Sequence, residues 1–113
     1  MRDPEVLIDT DVLSALMRRD PDATSRASAY LQEHGHLTFS IITRYEILRG
    51  LKSKAATAQL AAFGLLCQAS TVLALTDEIV ERASDVYAGL HRAGALLPDA
   101  DLMIASTALV HGL

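Results

Sequence analysis

Val6-Leu-Ile-Asp-Thr-Asp-Val12 is the stretch that decides the fold. Three apolar residues run without a break into an acid, and a hydroxyl and a second acid follow at once. A short continuous apolar run of this kind reads as a buried strand of a parallel sheet, placed here over Glu5–Asp9. Asp11 is then positioned to cap a helix whose apolar side carries Val12, Leu13, Leu16 and Met17. An acid at the end of a buried strand must be paired, protonated or metal-bound, because its desolvation is otherwise uncompensated. Asp9 has no basic neighbour in sequence to pair with.

Outward from this stretch, strands and helices alternate. Asp20-Pro21-Asp22 breaks the first helix, and a second runs to about Glu33 with Ala27, Tyr30 and Leu31 on one face, ended by Gly35. Leu37–Ser40 reads as a strand. Ile41–Leu51 reads as a helix with Ile41, Tyr45, Leu48 and Leu51 toward the core, and Lys54–Gln68 as an Ala-rich helix. Thr71–Leu75 is a third strand. A helix follows from Thr76 to about Arg92, with Asp77 and Glu78 in the first turn where the dipole favours acids, and Gly94 closes it. Leu96-Leu97-Pro98-Asp99 opens a last helix that ends near Gly112. Strands separated by helices imply crossover connections: an α/β fold with a short central parallel sheet flanked by helices. Sites in such sheets form where successive strands end along one edge.

The chain has 113 residues, half of them hydrophobic, with 10 Lys and Arg against 14 Asp and Glu and a formal charge of −4. One domain with a packed core fits this length. The net acidity excludes nucleic-acid binding by bulk electrostatics alone, but not a nuclease whose metal site is built from carboxylates. A single cysteine, Cys67, excludes an internal disulfide and a Cys-rich zinc module, and its leucine neighbours Leu65 and Leu66 make it a packing residue. No signal peptide is read, and the longest apolar run, Leu60–Cys67, is far short of a membrane span. These features point to a cytoplasmic protein.

The chemistry rests on Asp9, Asp11, Glu46, Asp99 and Asp101. Two or more carboxylates from different elements can hold hard cations such as Mg²⁺, which take oxygen ligands and substrate phosphate. A purely structural use stands beside each. Asp11 and Asp99 suit helix caps, Asp101 complements a helix dipole, and Glu46 pairs with Arg49 one turn on. Thr10 and Ser40 are placed to hydrogen-bond a carboxylate or phosphate, or to help cap helices. Arg18, Arg19, Arg44, Arg49 and Lys52 are candidate phosphate contacts, each also an ordinary surface charge. His34 and His36 flank Gly35 and read as a solvated loop. No metal-ligand spacing of His or Cys, nucleophile elbow or Gly-rich phosphate loop is present.

Three segments carry a family resemblance: Leu7-Ile-Asp-Thr-Asp-Val-Leu-Ser14, Ser40-Ile-Ile-Thr-Arg-Tyr-Glu-Ile-Leu-Arg-Gly50, and Asp101-Leu-Met-Ile-Ala-Ser-Thr-Ala-Leu-Val-His-Gly112. In this order and spacing they resemble the PIN-domain proteins, and most closely the VapC-like ribonuclease toxins of type II toxin–antitoxin systems. The resemblance implies a PIN-like α/β/α sandwich over residues 1–113, an RNA substrate, Mg²⁺ or Mn²⁺ as cofactor, an antitoxin partner and a homodimer. It matches Asp9, Glu46 and Asp101 to the acidic metal ligands, with Asp99 as a substitute for a fourth acid. Thr10 matches the family's small hydroxyl residue. Ser40, Arg44 and Arg49 are added as substrate contacts. The family pattern continues past Leu113 with one or two strands and the fourth acid, so the chain is expected to be a C-terminally short PIN-like domain. Five aromatic residues leave little base-stacking capacity, which favours recognition of RNA shape and backbone.

Two rival functions follow from the same residues. A PIN-like module with impaired catalysis would survive as a protein-binding unit, using the apolar segment Ala55–Leu66. Asp9-Thr-Asp11 also resembles the opening motif of haloacid-dehalogenase-type phosphatases, although Val12-Leu13 stands where that motif has Gly-Thr.

Overall fold

The computed structural model describes residues 4–113. Helix α1 (Thr10–Met17) and α2 (Pro21–His34) precede strand β1 (Thr38–Ser40). Helices α3 (Ile41–Ser53) and α4 (Thr57–Gln68) lead to β2 (Thr71–Leu73), and α5 (Asp77–Arg92) and α6 (Asp99–His111) follow. β1 and β2 pair in parallel, with Phe39 opposite Val72. Ile8 forms a parallel bridge to Phe39, donating its N–H to the Thr38 carbonyl at 2.8 Å. Three parallel segments therefore meet at Phe39, flanked by helices, as the alternation of elements predicts.

The expected first strand is reduced to that single bridge. Tyr30 supplies the reason: its hydroxyl accepts from Val6 N at 3.1 Å and lies 3.4 Å from the Val6 carbonyl, so a side chain rather than a strand satisfies this residue. The segment is also less buried than its apolar run suggests, with Val6 40% exposed. β2 stops at Leu73 rather than Leu75, because β1 turns into α3 directly after Ser40 and offers no partner further on.

Local chemistry places the helix starts. Asp9, in extended conformation, caps α1 by accepting from Val12 N at 2.9 Å. The expected cap, Asp11, lies inside the first turn instead. Asp20 caps α2 with Pro21 at the first helical position, and Gly35 ends it with φ +81°, a left-handed conformation that glycine adopts without strain. Thr76 caps α5. Pro98, not Asp99, occupies the cap position of α6, so Asp99 is the first helical residue and makes no cap bond. Ala55, at φ +52°, separates α3 from α4 and delays α4 to Thr57.

Leu13, Leu37, Phe39, Ile47, Leu51 and Phe63 form the main core, with the Phe39 and Phe63 rings stacked at 6.3 Å. α3 buries Thr43, Ile47 and Leu51, the i, i+4, i+8 stripe of one helical face. Of the expected core face, Leu51 is buried and Leu48 packs against the core, but Tyr45 is corrected: it is 58% exposed and lies beneath the Arg49 guanidinium, 5.2 Å from the ring centroid. His34 is also corrected. It is in the last turn of α2, its side chain only 9% exposed, with its ring 4.4 Å from that of Tyr30. Ile79, Ala83 and Leu102 are buried on α5 and α6, which pack together as a hairpin. Among the described residues no helix is long and apolar enough to cross a membrane.

Phe39→Ala should destabilise the fold by about 3–5 kcal/mol, since it removes a fully buried ring from the residue that joins all three parallel segments; urea denaturation followed by circular dichroism measures it. Cys67 packs against the main core, and burial pushes its thiol above the ordinary range against the opposing effect of the neighbouring Arg44. Its reaction with a disulfide reagent at pH 8 should be slower than that of free cysteine. Because the folded value is raised, the associated stability is present below the unfolded thiol's range and is lost as pH rises through the folded one.

Candidate acidic active site

The start of α1, the middle of α3 and the first turns of α6 enclose a cleft of about 300 Å³ lined by Asp9, Thr10, Asp11, Glu46, Asp101, Ile104 and Ala105. Each acid arrives for a local reason. Asp9 is presented by the strand-to-helix turn and is held by its cap bond. Asp101, Ile104 and Ala105 share one face of α6 at i, i+3 and i+4 spacing. Glu46 stands one turn beyond the buried Thr43 on α3, its side chain 17% exposed.

One hydroxyl ties two of these elements together. Thr10 Oγ1 is 2.6 Å from Glu46 Oε1 and 3.1 Å from Thr43 Oγ1. A threonine has one proton to give. Thr10 donates it to the carboxylate, where a charge-assisted bond is stronger, and is left to accept from Thr43. The other Glu46 oxygen, Oε2, lies 3.7 Å from Arg49 Nη2. Arg49 is 60% exposed on its side chain, so this ion pair contributes little to stability.

The other expected site residues are placed elsewhere. Asp99 is two residues from Asp101, about 200° around the helix, and lines a separate cleft with Ser84, Tyr87 and Met103 between α5 and α6. Ser40 is 1% exposed and caps α3 through a 3.0 Å bond from Ile42 N, so it does not reach the acidic cleft. Arg44 interacts with Cys67 of α4 rather than with the acids. Thr43 was not singled out from sequence, although its position three residues before Glu46 places both on one helical face. Ile104 and Ala105 were likewise missed and were legible only as neighbours of Asp101 at helical spacing.

The donor set is entirely oxygen, which suits Mg²⁺ or Mn²⁺ in kind. Among the described residues no three His, Cys, Asp or Glu converge closely enough to hold one ion. Ligation therefore fits one or two carboxylates, with water and a ligand's oxygens completing the shell, the mode magnesium commonly adopts.

Comparison with known proteins agrees with this architecture. The PIN domain profile matches residues 6–113. The chain is 31% identical over 106 residues to Ribonuclease VapC1 of Methanocaldococcus jannaschii, covering 94% of this chain and 69% of that protein. Its fold resembles VapBC2 from Rickettsia felis, solved bound to a promoter DNA fragment, with a TM-score of 0.83 at 17% identity over 96% of this chain and 83% of that one. It also resembles DNA-bound VapBC from Salmonella typhimurium, with a TM-score of 0.80 at 22% identity over 94% and 80% of the two chains. A toxin–antitoxin complex from Klebsiella pneumoniae gives a TM-score of 0.77 at 22% identity over 96% and 82%. With the profile spanning nearly all of its length and four acids lining one cleft, the chain belongs to the PIN-domain family.

Proposed function

We propose that this protein is a metal-dependent endoribonuclease that serves as the toxin of a toxin–antitoxin pair. The observation that carries the proposal is the meeting of Asp9, Glu46 and Asp101, from three separate elements, in one cleft. Likeness to a protein named as a ribonuclease gives the reaction class, and likeness to VapBC complexes gives the partner class. An antitoxin polypeptide is the proposed partner and a homodimer the proposed assembly. PIN-family membership leaves the phosphatase alternative without support.

Asp9, Glu46 and Asp101 would supply the carboxylates for Mg²⁺ or Mn²⁺, one or two of them to each ion, with water and substrate oxygens completing its shell. Such an ion, when bound, lowers the pKa of an attacking water and offsets charge developing on a phosphodiester. The chain's own groups then have distinct tasks. Thr10 holds Glu46 Oε1 in one orientation. Arg49, beside the other Glu46 oxygen and largely exposed, would meet a substrate phosphate. Ile104 and Ala105, on the α6 face that carries Asp101, give the cleft its apolar lining.

An association module with impaired catalysis remains the second reading. The absence of three convergent ligands among the described residues favours it, as does Leu65 on α4, 68% exposed.

Asp9→Asn retains a good helix cap, so its effect reports on chemistry rather than on folding. Together with Glu46→Gln it should lower cleavage of a labelled RNA in Mn²⁺ by at least about 100-fold, the scale of losing charged groups that act in the transition state. Cleavage that survives the pair overturns the nuclease proposal. Thr10→Val should weaken Mn²⁺ binding about 10–100-fold, the usual cost of losing a group that orients a ligand. Titration calorimetry measures it, and a folded chain that binds no Mn²⁺ favours the association module.

A further inference from the structure

A second groove, of about 140 Å³, shares Glu46 with the acidic cleft and continues past it between α1 and α3, toward the start of α4. Its character differs. Besides Glu46, its polar and charged lining is Ser14, Arg18, Lys54 and Gln59, so cations replace the acids. Arg18 and Lys54 are both exposed, and neither makes a salt bridge with a described carboxylate, whereas Arg26 pairs with Asp22 and Arg49 with Glu46. Two uncommitted cations thus line a groove that meets the acidic cleft at Glu46.

Gly50 lies on the wall of this groove, inside α3. A glycine within a helix costs stability relative to alanine. Its backbone is not in the left-handed region, and a Cβ built there would meet nothing within 4 Å. Neither conformation nor packing therefore requires glycine. Gly64 and Gly89 are equally unobstructed, so open space alone carries no argument. Only Gly50 borders the groove, and there the missing side chain lets a ligand approach the helix backbone.

We propose that this groove carries the RNA strand leading away from the acidic cleft, with Arg18 and Lys54 each contacting a phosphate and the strand lying against α3 at Gly50. This rests on the ribonuclease reading and assigns that reading a substrate path. A phosphodiester chain suits the lining: separated cations take successive phosphates, while Ser14 and Gln59 offer hydrogen bonds to sugar or phosphate oxygens. The path uses no aromatic platform, in keeping with the few aromatics of the chain.

The test is fluorescence anisotropy with a labelled single-stranded RNA of about twelve nucleotides, within the range such grooves bind. All proteins carry Asp101→Asn to suppress cleavage, in Mg²⁺ and across a salt series. Arg18→Ala and Lys54→Ala should each weaken binding and reduce the slope of log affinity against log salt by about 0.7, and the double variant by about 1.4. Gly50→Gln should weaken binding several-fold with the slope unchanged, while Gly50→Ala raises the melting temperature, which separates obstruction from misfolding. Unchanged affinity and slope in the double variant overturn the path and leave the groove to a polypeptide or to solvent. RNA that is cut in the Asp101→Asn background counts against the proposed ligand set, not against the path. RNA that the parent chain does not bind at all overturns both.

Discussion

Everything in this structure hangs on the double pairing of Phe39. It bridges Ile8 on one side and pairs with Val72 on the other, and all three segments run the same way. Parallel pairing sends the helix that follows each strand away from a common edge. Asp9 and Ser40 thereby become equivalent positions, each one residue past a paired residue and each capping the next helix with its side chain. One of the two is an acid in the cleft, and the other is a buried hydroxyl. The same backbone solution yields a site residue at the edge of the sheet and a structural residue in its middle.

The acids are not idle in the absence of a ligand. Asp9 is engaged with a backbone amide, and Glu46 accepts from Thr10 and faces Arg49. These bonds reduce the cost of holding negative charges near one another and fix the orientation of two carboxylates before anything binds. They also explain how a chain with net charge −4 can offer a path to a polyanion: outside Asp9, Asp11, Glu46, Asp99 and Asp101 it has nine acids against ten bases.

The sequence made the element order legible because apolar runs, caps and glycine stops are local signals. Val6–Asp9, Leu37–Ser40 and the helix stop at Gly35 could be read this way. What it misread depended on distant partners. The burial of the first strand was overestimated because Tyr30, remote in sequence, satisfies Val6. On α3, Leu48 and Leu51 do pack on the core, but Tyr45, apolar enough to suit a core, is exposed beneath Arg49. Glu46 and Asp101 were visible as acids at motif positions. Their meeting with Asp9, and the separation of Asp99 from them, required the helical phase of α6 to be known to a single residue.

The hairpin of α5 and α6 has a consequence for the cleft. Asp9 and Glu46 are anchored to the main core through Leu13, Ile47 and the Thr10 bond. Asp101 comes instead from a pair of helices with its own buried residues, Ile79, Ala83 and Leu102, seated on the main body chiefly through α3. On α6 the hydroxyl of Ser106 is fully buried without a hydrogen-bond partner among the described residues, an expense that this helix meets from its packing. Two of the acids thus belong to one packed unit and Asp101 to another, so the bite of the cleft is set by how a helical hairpin rests on α3.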